Sequence, residues 1–265
     1  MKINIPSKMK KVIIYIIVCL FSTNILANSN FSTNKNVTKV LGDSAYQKGD
    51  YSLAIEIYEN ILKSQGESTA IYYNLGNSYY KNDKIAKAII NYERALLLNP
   101  GDKDVRFNLD MARSKTIDKI NPIREVFYIT WIKSIAHWYS VDKWAILGIL
   151  TFILSIGCFI LYFFSKQMKY KKIGFFSSIL FLTISVCSNI FAFNLKDSQI
   201  NRTGAIIISP SVTIKSTPNE SGTDLFILHE GTKVFIKDNT MKGWKEIQME
   251  DGNVGWIQTK NVEII

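Results

Sequence analysis

Two long stretches of the chain, residues 144–164 and 173–193, contain no charged residue. At about 1.5 Å per residue, each would form a helix roughly 31 Å long, which is enough to cross the hydrocarbon core of a bilayer. The segment between them, 165–172, contains no acidic residue and four lysines: Lys166, Lys169, Lys171 and Lys172. Because short lysine-rich loops favour the cytoplasmic side, the pattern predicts a two-helix transmembrane hairpin whose flanking segments lie outside the cytoplasm. The alternative is a buried hairpin in a soluble core, although soluble helices rarely lack charge on every face.

The amino-terminal segment has the organisation of a secretory signal peptide. A basic start is followed by an apolar run, and the segment ends at the small residue Ala27. We predict that residues 1–27 direct the next segment out of the cytoplasm, either cleaved or retained as an anchor, and that translation starts at Met1 or Met9. Residues 28–36 are rich in Ser, Asn and Thr, so we expect them to form a linker.

A period of 34 residues is visible in residues 37–118, where Leu41-Gly42 recurs as Leu75-Gly76. The motif of aromatic, Leu-Gly, Tyr, Ala, aromatic, Ala and Pro occupies Tyr72, Leu75, Gly76, Tyr79, Ala88, Tyr92, Ala95 and Pro100. It resembles the tetratricopeptide (TPR) repeat. We therefore predict an all-α TPR solenoid of two repeats and a capping helix, with Asp83 at the N-cap of the second helix of the full repeat. One repeat cannot bury its own apolar face, so the repeats must stack.

In TPR proteins the concave surface is formed by the first helix of each repeat, and the resemblance implies a partner-binding groove here. The corresponding residues are Lys39, Asp43, Tyr46, Tyr73, Asn77, Tyr80, Lys81, Phe107 and Met111. They would form an aromatic, mildly polar groove suited to a peptide or a partner helix. Lys39 and Asn77 match part of the carboxylate clamp of chaperone-binding repeats, but Phe107 and Met111 replace its other basic positions. The alternative is that these side chains form a solvated face or pack against the rest of the chain.

Residues 119–143 are dense in aromatic side chains. Phe127, Trp131, Ile135 and Trp138 recur at helical spacing. Because Trp and Tyr favour the headgroup zone, this segment is predicted to form an amphipathic helix at the membrane interface.

The hydrophobic pattern changes to period two in residues 203–265, where turn signals such as Asp251-Gly252 separate five or six short strands. So many strands in about 60 residues predict a small all-β barrel. The motifs Gly243-Trp244 and Gly255-Trp256 make this segment resemble bacterial SH3-like domains, some of which bind cell-wall peptides. Trp244 and Trp256 are the candidate binding residues on this surface, and the alternative is that at least one of them packs in the core.

Composition and motif content argue against nucleic-acid binding and against catalysis. The formal net charge is +10, but the excess of lysine is concentrated in residues 1–27 and 165–172, so it reflects topology and gives no support for nucleic-acid binding. The three cysteines all lie in apolar segments, so no disulfide is expected in the exported parts. The sequence contains no catalytic Ser-His-Asp or Cys-His set, no metal-ligand cluster and no phosphate-binding glycine loop, so we predict neither an enzyme nor a cofactor.

The order of segments resembles the BatE-type proteins of the Bacteroides aerotolerance (Bat) family. Further similarity lies in residues 104–109, 112–120, 171–176 and 222–232. The resemblance implies a multidomain inner-membrane protein with periplasmic TPR and SH3-like modules, in an aerotolerance- or stress-linked envelope complex with von Willebrand factor A-type Bat proteins. The first hypothesis is therefore a protein-binding scaffold. The second is a peptidoglycan- or cell-wall-binding membrane protein that acts through the SH3-like domain.

Overall fold

The computed structural model of the chain describes residues 32–120, 123 and 126–265, with side chains from residue 39 onward. The predicted signal peptide, residues 1–27, lies outside the described residues. Residues 32–36 were expected to belong to the linker, but they form the beginning of a helix. The first helix therefore begins inside the segment that was predicted to be a linker.

Five helices form the repeat region. They are α1 (Ser32–Gln47), α2 (Tyr51–Gln65), α3 (Thr69–Lys81), α4 (Ile85–Leu98) and α5 (Lys103–Ser114). A Cβ atom at Gly76 would lie 2.6 Å from Cε1 of Tyr92, so glycine is required where α3 and α4 approach most closely. The buried side chains of all five helices join in a single core cluster.

Aspartates shape two of the turns between these helices. Asp102 caps α5, because its Oδ1 accepts hydrogen bonds from the backbone N–H groups of Asp104 and Val105, each at 3.2 Å. The expectation that Asp83 caps α4 is wrong. Lys84 stands at that N-cap, and Asp83 adopts a φ of 57° in the preceding turn, a left-handed conformation that Asp tolerates better than most residues.

Among the described residues, two helices are long and apolar enough to cross a membrane: α7 (Val141–Phe164) and α8 (Met168–Ile200). They follow the short helix α6 (Phe127–Ala136). The predicted loop 165–172 is shorter in the structure, because α8 begins at Met168, and the second predicted span is part of a longer helix that extends past residue 193.

Small and hydroxylated residues bring the two helices of the hairpin together. Ser155 Oγ donates to the carbonyl oxygen of Ser178 at 2.9 Å, and Ser185 Oγ donates to that of Gly148 at 2.8 Å. At the open end of the hairpin the ring of Trp144 contacts that of Phe191, with 5.0 Å between the centroids. The start of α7 and the end of α8 are therefore neighbours, and the segments outside the hairpin leave it at the same end.

Seven antiparallel strands follow the hairpin. They are β1 (Gly204–Ile207), β2 (Ser211–Lys215), β3 (Asp224–His229), β4 (Lys233–Asp238), β5 (Trp244–Met249), β6 (Val254–Gln258) and β7 (Val262–Ile264), with a 3₁₀ turn at Thr259–Asn261 before β7. They form one sheet in the order β3-β2-β6-β5-β4-β1-β7. No pairing between β3 and β7 closes it among the described residues. The sheet is therefore open, which differs from the small barrel that the sequence predicted.

Strand β1 joins the sheet to the helical repeats. Ala205 and Ile207 belong to the core of the sheet, whereas Ile206 and the carboxy-terminal Ile265 belong to the core of the repeats. Ile206 and Ile207 are both 0% exposed, so β1 buries apolar side chains on both of its faces. The sheet thus covers one side of the repeats, next to α4.

Polar contacts surround this junction. Glu93 on α4 accepts hydrogen bonds from Arg113 Nη2 and, at 2.8 Å, from Lys233 Nζ on β4. Arg94 Nη2 donates to Glu263 Oε1 at 3.0 Å and to the carbonyl oxygen of the following residue at 2.6 Å. These contacts join α4 to both β4 and β7, so the repeats and the sheet are held as one body.

Candidate functional site: the groove of the helical repeats

The predicted groove residues lie on α1, α3 and α5, the first helix of each repeat unit. Tyr46, Tyr73 and Tyr80 are half-buried and pack against the core of the repeats. Lys81 is exposed, as are Phe107 (64%) and Met111 (40%). The groove therefore has an aromatic base and an open apolar surface on α5.

Asp43 does not present a free carboxylate to the groove. Its Oδ2 accepts from Lys39 Nζ at 2.7 Å, and its Oδ1 accepts from Tyr58 Oη at 2.6 Å and from Asn74 Nδ2 at 2.9 Å. Burial alone would raise the pKa of Asp43, but the hydrogen bonds from Lys39, Tyr58 and Asn74 outweigh it and lower the pKa. Asp43 is therefore ionised at neutral pH and satisfied within the protein.

The same arrangement recurs one repeat later, around Asn77. Its Oδ1 accepts from Tyr92 Oη at 2.7 Å and from Asn108 Nδ2 at 2.8 Å. Asn108 also donates to Tyr73 Oη at 3.2 Å. Burial raises the pKa of Tyr92, and the neighbouring tyrosines of the groove raise it further. The phenol is therefore a neutral hydrogen-bond donor at neutral pH.

The two clusters form a hydrogen-bonded ladder along the base of the groove. In each rung, a polar residue on a first helix accepts from a tyrosine on the second helix and from an asparagine on the first helix of the next repeat. The rungs are Asp43 with Tyr58 and Asn74, and Asn77 with Tyr92 and Asn108. The ladder ends at the third repeat unit, where Met111 stands in place of the polar residue.

The ladder contains residues of the candidate site that the sequence prediction did not select. The predicted groove residues include none of Tyr58, Tyr92, Asn74 and Asn108. The spacing of these residues could have identified them, because all three positions of a rung recur at the period of the repeat. Asn108 on α5 joins the predicted residues Tyr73 and Asn77 of α3, while Lys39 and Asp43 pair with each other on α1.

The chemistry of the groove fits binding better than catalysis. Its buried polar atoms are paired with each other, and the accessible surface is formed by the apolar side chains of Phe107 and Met111 with basic groups beside them. Lys115 Nζ lies 4.3 Å from the centre of the Tyr80 ring, and Lys81 is the last residue of α3. The described part of the chain contains no group of three His, Cys, Asp or Glu residues that could hold a metal ion.

A second candidate surface lies on the sheet. Trp256 on β6 is two residues from Gln258, the partner of Trp244 on β5, and therefore lies on the same face as Trp244. Both tryptophans are half-buried, whereas Ile247 and Ile257, which point to the opposite face, are completely buried. The two indoles therefore share the outer face of the sheet, and neither belongs to its buried core.

Comparison with known proteins supports one part of this description. The family model of the tetratricopeptide repeat matches residues 69–102, which include α3, α4 and the turn after α4. No curated protein matches the chain. The chain therefore contains a tetratricopeptide repeat, an interaction module for proteins that is typically non-catalytic.

Proposed function

We propose that this protein is a membrane-anchored scaffold whose repeat groove binds a helix or peptide of a protein partner. The observation that carries this proposal is the asymmetry of the repeats. One side is covered by the sheet through Ile206 and Ile265, whereas the groove side leaves Phe107 and Met111 exposed. Because the ladder satisfies the polar groups at the base, a partner with an apolar face can dock without leaving them unpaired.

The proposed orientation places the repeats and the sheet together in the periplasm, with the hairpin in the inner membrane. Gln199, near the end of α8, donates to the carbonyl oxygen of Leu97 at 3.0 Å. Arg202, just beyond α8, forms an ion pair with Glu67 at 2.6 Å. These contacts support a common side for both modules, and the lysines at the opposite end of the hairpin support a cytoplasmic position for the turn.

Protease treatment of intact spheroplasts tests this orientation. Added protease should digest the repeats and the sheet without lysis, and it should leave the turn at residues 165–167 intact. Protection of both modules until the cells are lysed would refute the proposed orientation.

The resemblance to the Bat family supports a more specific proposal, in which the partner is an envelope protein of the von Willebrand factor A-type Bat group. A photo-crosslinking amino acid at Tyr80 tests it, with the same probe at Glu56, which is exposed on α2, as the matched control. We expect the probe in the groove, but not the control, to capture a discrete membrane protein. Equal capture at both positions, or none at Tyr80, would contradict groove binding. Capture of a protein outside that group would retain the scaffold and refute the specific partner.

Cell-wall binding is the second candidate function, because the half-buried Trp244 and Trp256 share the outer face of the sheet. Tryptophan offers a ligand a large apolar surface together with a polar N–H group. Sedimentation of the detergent-solubilised full-length protein with purified peptidoglycan tests this function, with a Trp244→Ala/Trp256→Ala variant for comparison. Binding that is absent in both proteins, or equal in both, would rule out a function for these tryptophans in cell-wall binding.

A further inference from the structure

Helix α6 is unusual because none of its residues is buried against the rest of the protein. Its large apolar side chains are therefore exposed: the exposed fraction is 82% for Phe127, 67% for Trp131, 53% for Tyr128 and 48% for Ile132. Lys133 is the only charged residue among the ten residues FYITWIKSIA. At roughly 25 cal/mol per Å² of apolar surface, leaving such a helix in water is unfavourable, so its surface requires an apolar neighbour.

The position of α6 relative to the hairpin identifies that neighbour. Trp144 Nε1 donates to the carbonyl oxygen of Ala136, the last residue of α6, at 2.8 Å. Trp144 is also the first residue of the charge-free stretch in α7. The carboxy-terminal end of α6 is therefore held at the level where the apolar part of the hairpin begins, which is where the hydrocarbon core would meet the headgroups.

Exposed apolar side chains also lie in the connection between α6 and α7 and on α7 itself, on either side of the charged pair Asp142 and Lys143. Ile149 on α7 is 59% exposed, Trp138 in the connection is 65% exposed, and Tyr139 is 43% exposed. Trp and Tyr are the residues that concentrate at the boundary between lipid and water, because one end of each side chain is apolar and the other is polar. The composition of α6 and of this connection therefore matches the headgroup layer better than the surface of a second protein.

We propose that α6 lies in the headgroup layer of the bilayer that α7 and α8 cross, with its aromatic side chains inserted among the lipids. This proposal rests on the membrane-spanning hairpin of the proposed function. It adds a third membrane contact, which also reaches the repeats. A Cβ atom at Gly101 would lie 2.5 Å from the carbonyl oxygen of Trp138, so the turn after α4 packs against the connection between α6 and α7. Helix α6 thereby holds the repeats, and with them the groove, against the membrane surface.

Site-specific fluorescence in vesicles tests the proposal. Single cysteines are introduced at Trp131, Phe107 and Ile149 in the full-length protein, after Cys19, Cys158 and Cys187 have been replaced by serine. Each variant is labelled with an environment-sensitive dye and reconstituted in vesicles of phosphatidylcholine and phosphatidylglycerol. The control at Phe107 is well matched, because its exposed fraction of 64% is close to the 67% of Trp131. The label at Ile149 reports on the hairpin itself.

We expect nitroxides on the lipid to quench the labels at Trp131 and Ile149, and aqueous iodide to quench the label at Phe107 several-fold more strongly than either. If the label at Ile149 senses lipid while the label at Trp131 is as accessible to iodide as that at Phe107, the inference about α6 fails and the hairpin stands. If the label at Trp131 is protected from iodide but unaffected by lipid nitroxides, a protein covers α6 and the inference again fails. If Ile149 does not sense lipid either, the membrane-spanning hairpin itself is wrong.

Discussion

The junction between the sheet and the repeats allows a comparison of two adjacent isoleucines. Ile206 and Ile207 are consecutive on β1 and both are 0% exposed, but they belong to different cores. Ile206 packs with the side chains of the repeats, and Ile207 packs within the sheet. Truncating either side chain to alanine removes the same atoms from an equally buried site, so the variants Ile206→Ala and Ile207→Ala are matched.

Both variants should lose stability by about 2–5 kcal/mol, the range for isoleucine truncation in a core. Their local effects should differ. In Ile206→Ala the cavity lies between the sheet and α4 (Ile85–Leu98), next to the buried carboxylate of Glu93 and the half-buried guanidinium of Arg94. A loss of about 3 kcal/mol corresponds to a roughly 100-fold increase in the opening of this junction, since each 1.4 kcal/mol is a factor of ten.

Hydrogen exchange of the detergent-solubilised protein, read by mass spectrometry, measures that opening segment by segment. Peptides from α4 should exchange up to about 100-fold faster in Ile206→Ala, whereas in Ile207→Ala the acceleration should be largest in β5 and β6. Equal exchange of α4 in the two variants would refute the assignment of Ile206 to the core of the repeats. Unchanged exchange of α4 in Ile206→Ala would also refute the description of the repeats and the sheet as one body.

Three further predictions test the ladder, the hairpin and the junction. Tyr92→Phe removes a hydroxyl that donates to the ladder and should cost about 0.5–1.5 kcal/mol in thermal unfolding, whereas Tyr80→Phe should cost little, since no hydrogen bond to its hydroxyl is found among the described residues. In the hairpin, Gly174→Val should lower the melting temperature in detergent more than Gly157→Val, because a Cβ at Gly174 would lie 2.8 Å from the backbone of α7 and one at Gly157 would have no neighbour within 4 Å. For the junction, burial would raise the pKa of Asp118, but hydrogen bonds from a threonine and a histidine of the sheet outweigh it and lower the pKa. The stabilisation of the folded state by the ionised Asp118 should therefore be complete above about pH 4 and should be lost as pH falls through the lowered pKa. Below about pH 4, the melting temperature of the Asp118→Asn variant should therefore depend less on pH than that of the unmodified protein. An equally steep pH dependence in Asp118→Asn would contradict the role of Asp118. Equal melting temperatures for Tyr92→Phe and Tyr80→Phe would contradict the hydrogen bond from Tyr92. Equal melting temperatures for Gly174→Val and Gly157→Val would contradict the close contact between α7 and α8 at Gly174.

The sequence predicted the parts of the fold that depend on local or periodic patterns. The hairpin follows from the absence of charge over two stretches, and α3 and α4 follow from a repeat motif with several fixed positions. The docking of the sheet is a contact between distant segments, which no local pattern specifies. A partial signal was nevertheless present, because the run Ala205-Ile206-Ile207 does not alternate and continuous apolar runs are typical of strands that are buried on both faces.

The groove was only partly predictable for a related reason. Positional analogy with TPR proteins selected first-helix residues, and this found both polar acceptors of the ladder, Asp43 and Asn77. It could not show that those acceptors are already paired inside the protein, because the pairing depends on tyrosines of the second helices and on asparagines of the next repeat. If the groove binds a partner as proposed, the exposed side chains of Phe107 and Met111, rather than the charged positions, are the residues through which the partner would gain binding energy.

The open sheet also adds apolar side chains to the core of the short repeat region. Two repeats and one further helix are close to the minimum that can bury a common core, and solenoids require a cap at each end. Ile206 and Ile265 supply apolar side chains to that core, so on the side of α4 the sheet adds buried apolar surface that the short repeat region would otherwise lack. A sheet that packs in this way must keep the edge formed by β1 and β7 against the helices. That requirement gives a physical reason for a sheet that does not close into a barrel and for a groove that remains free on the opposite side.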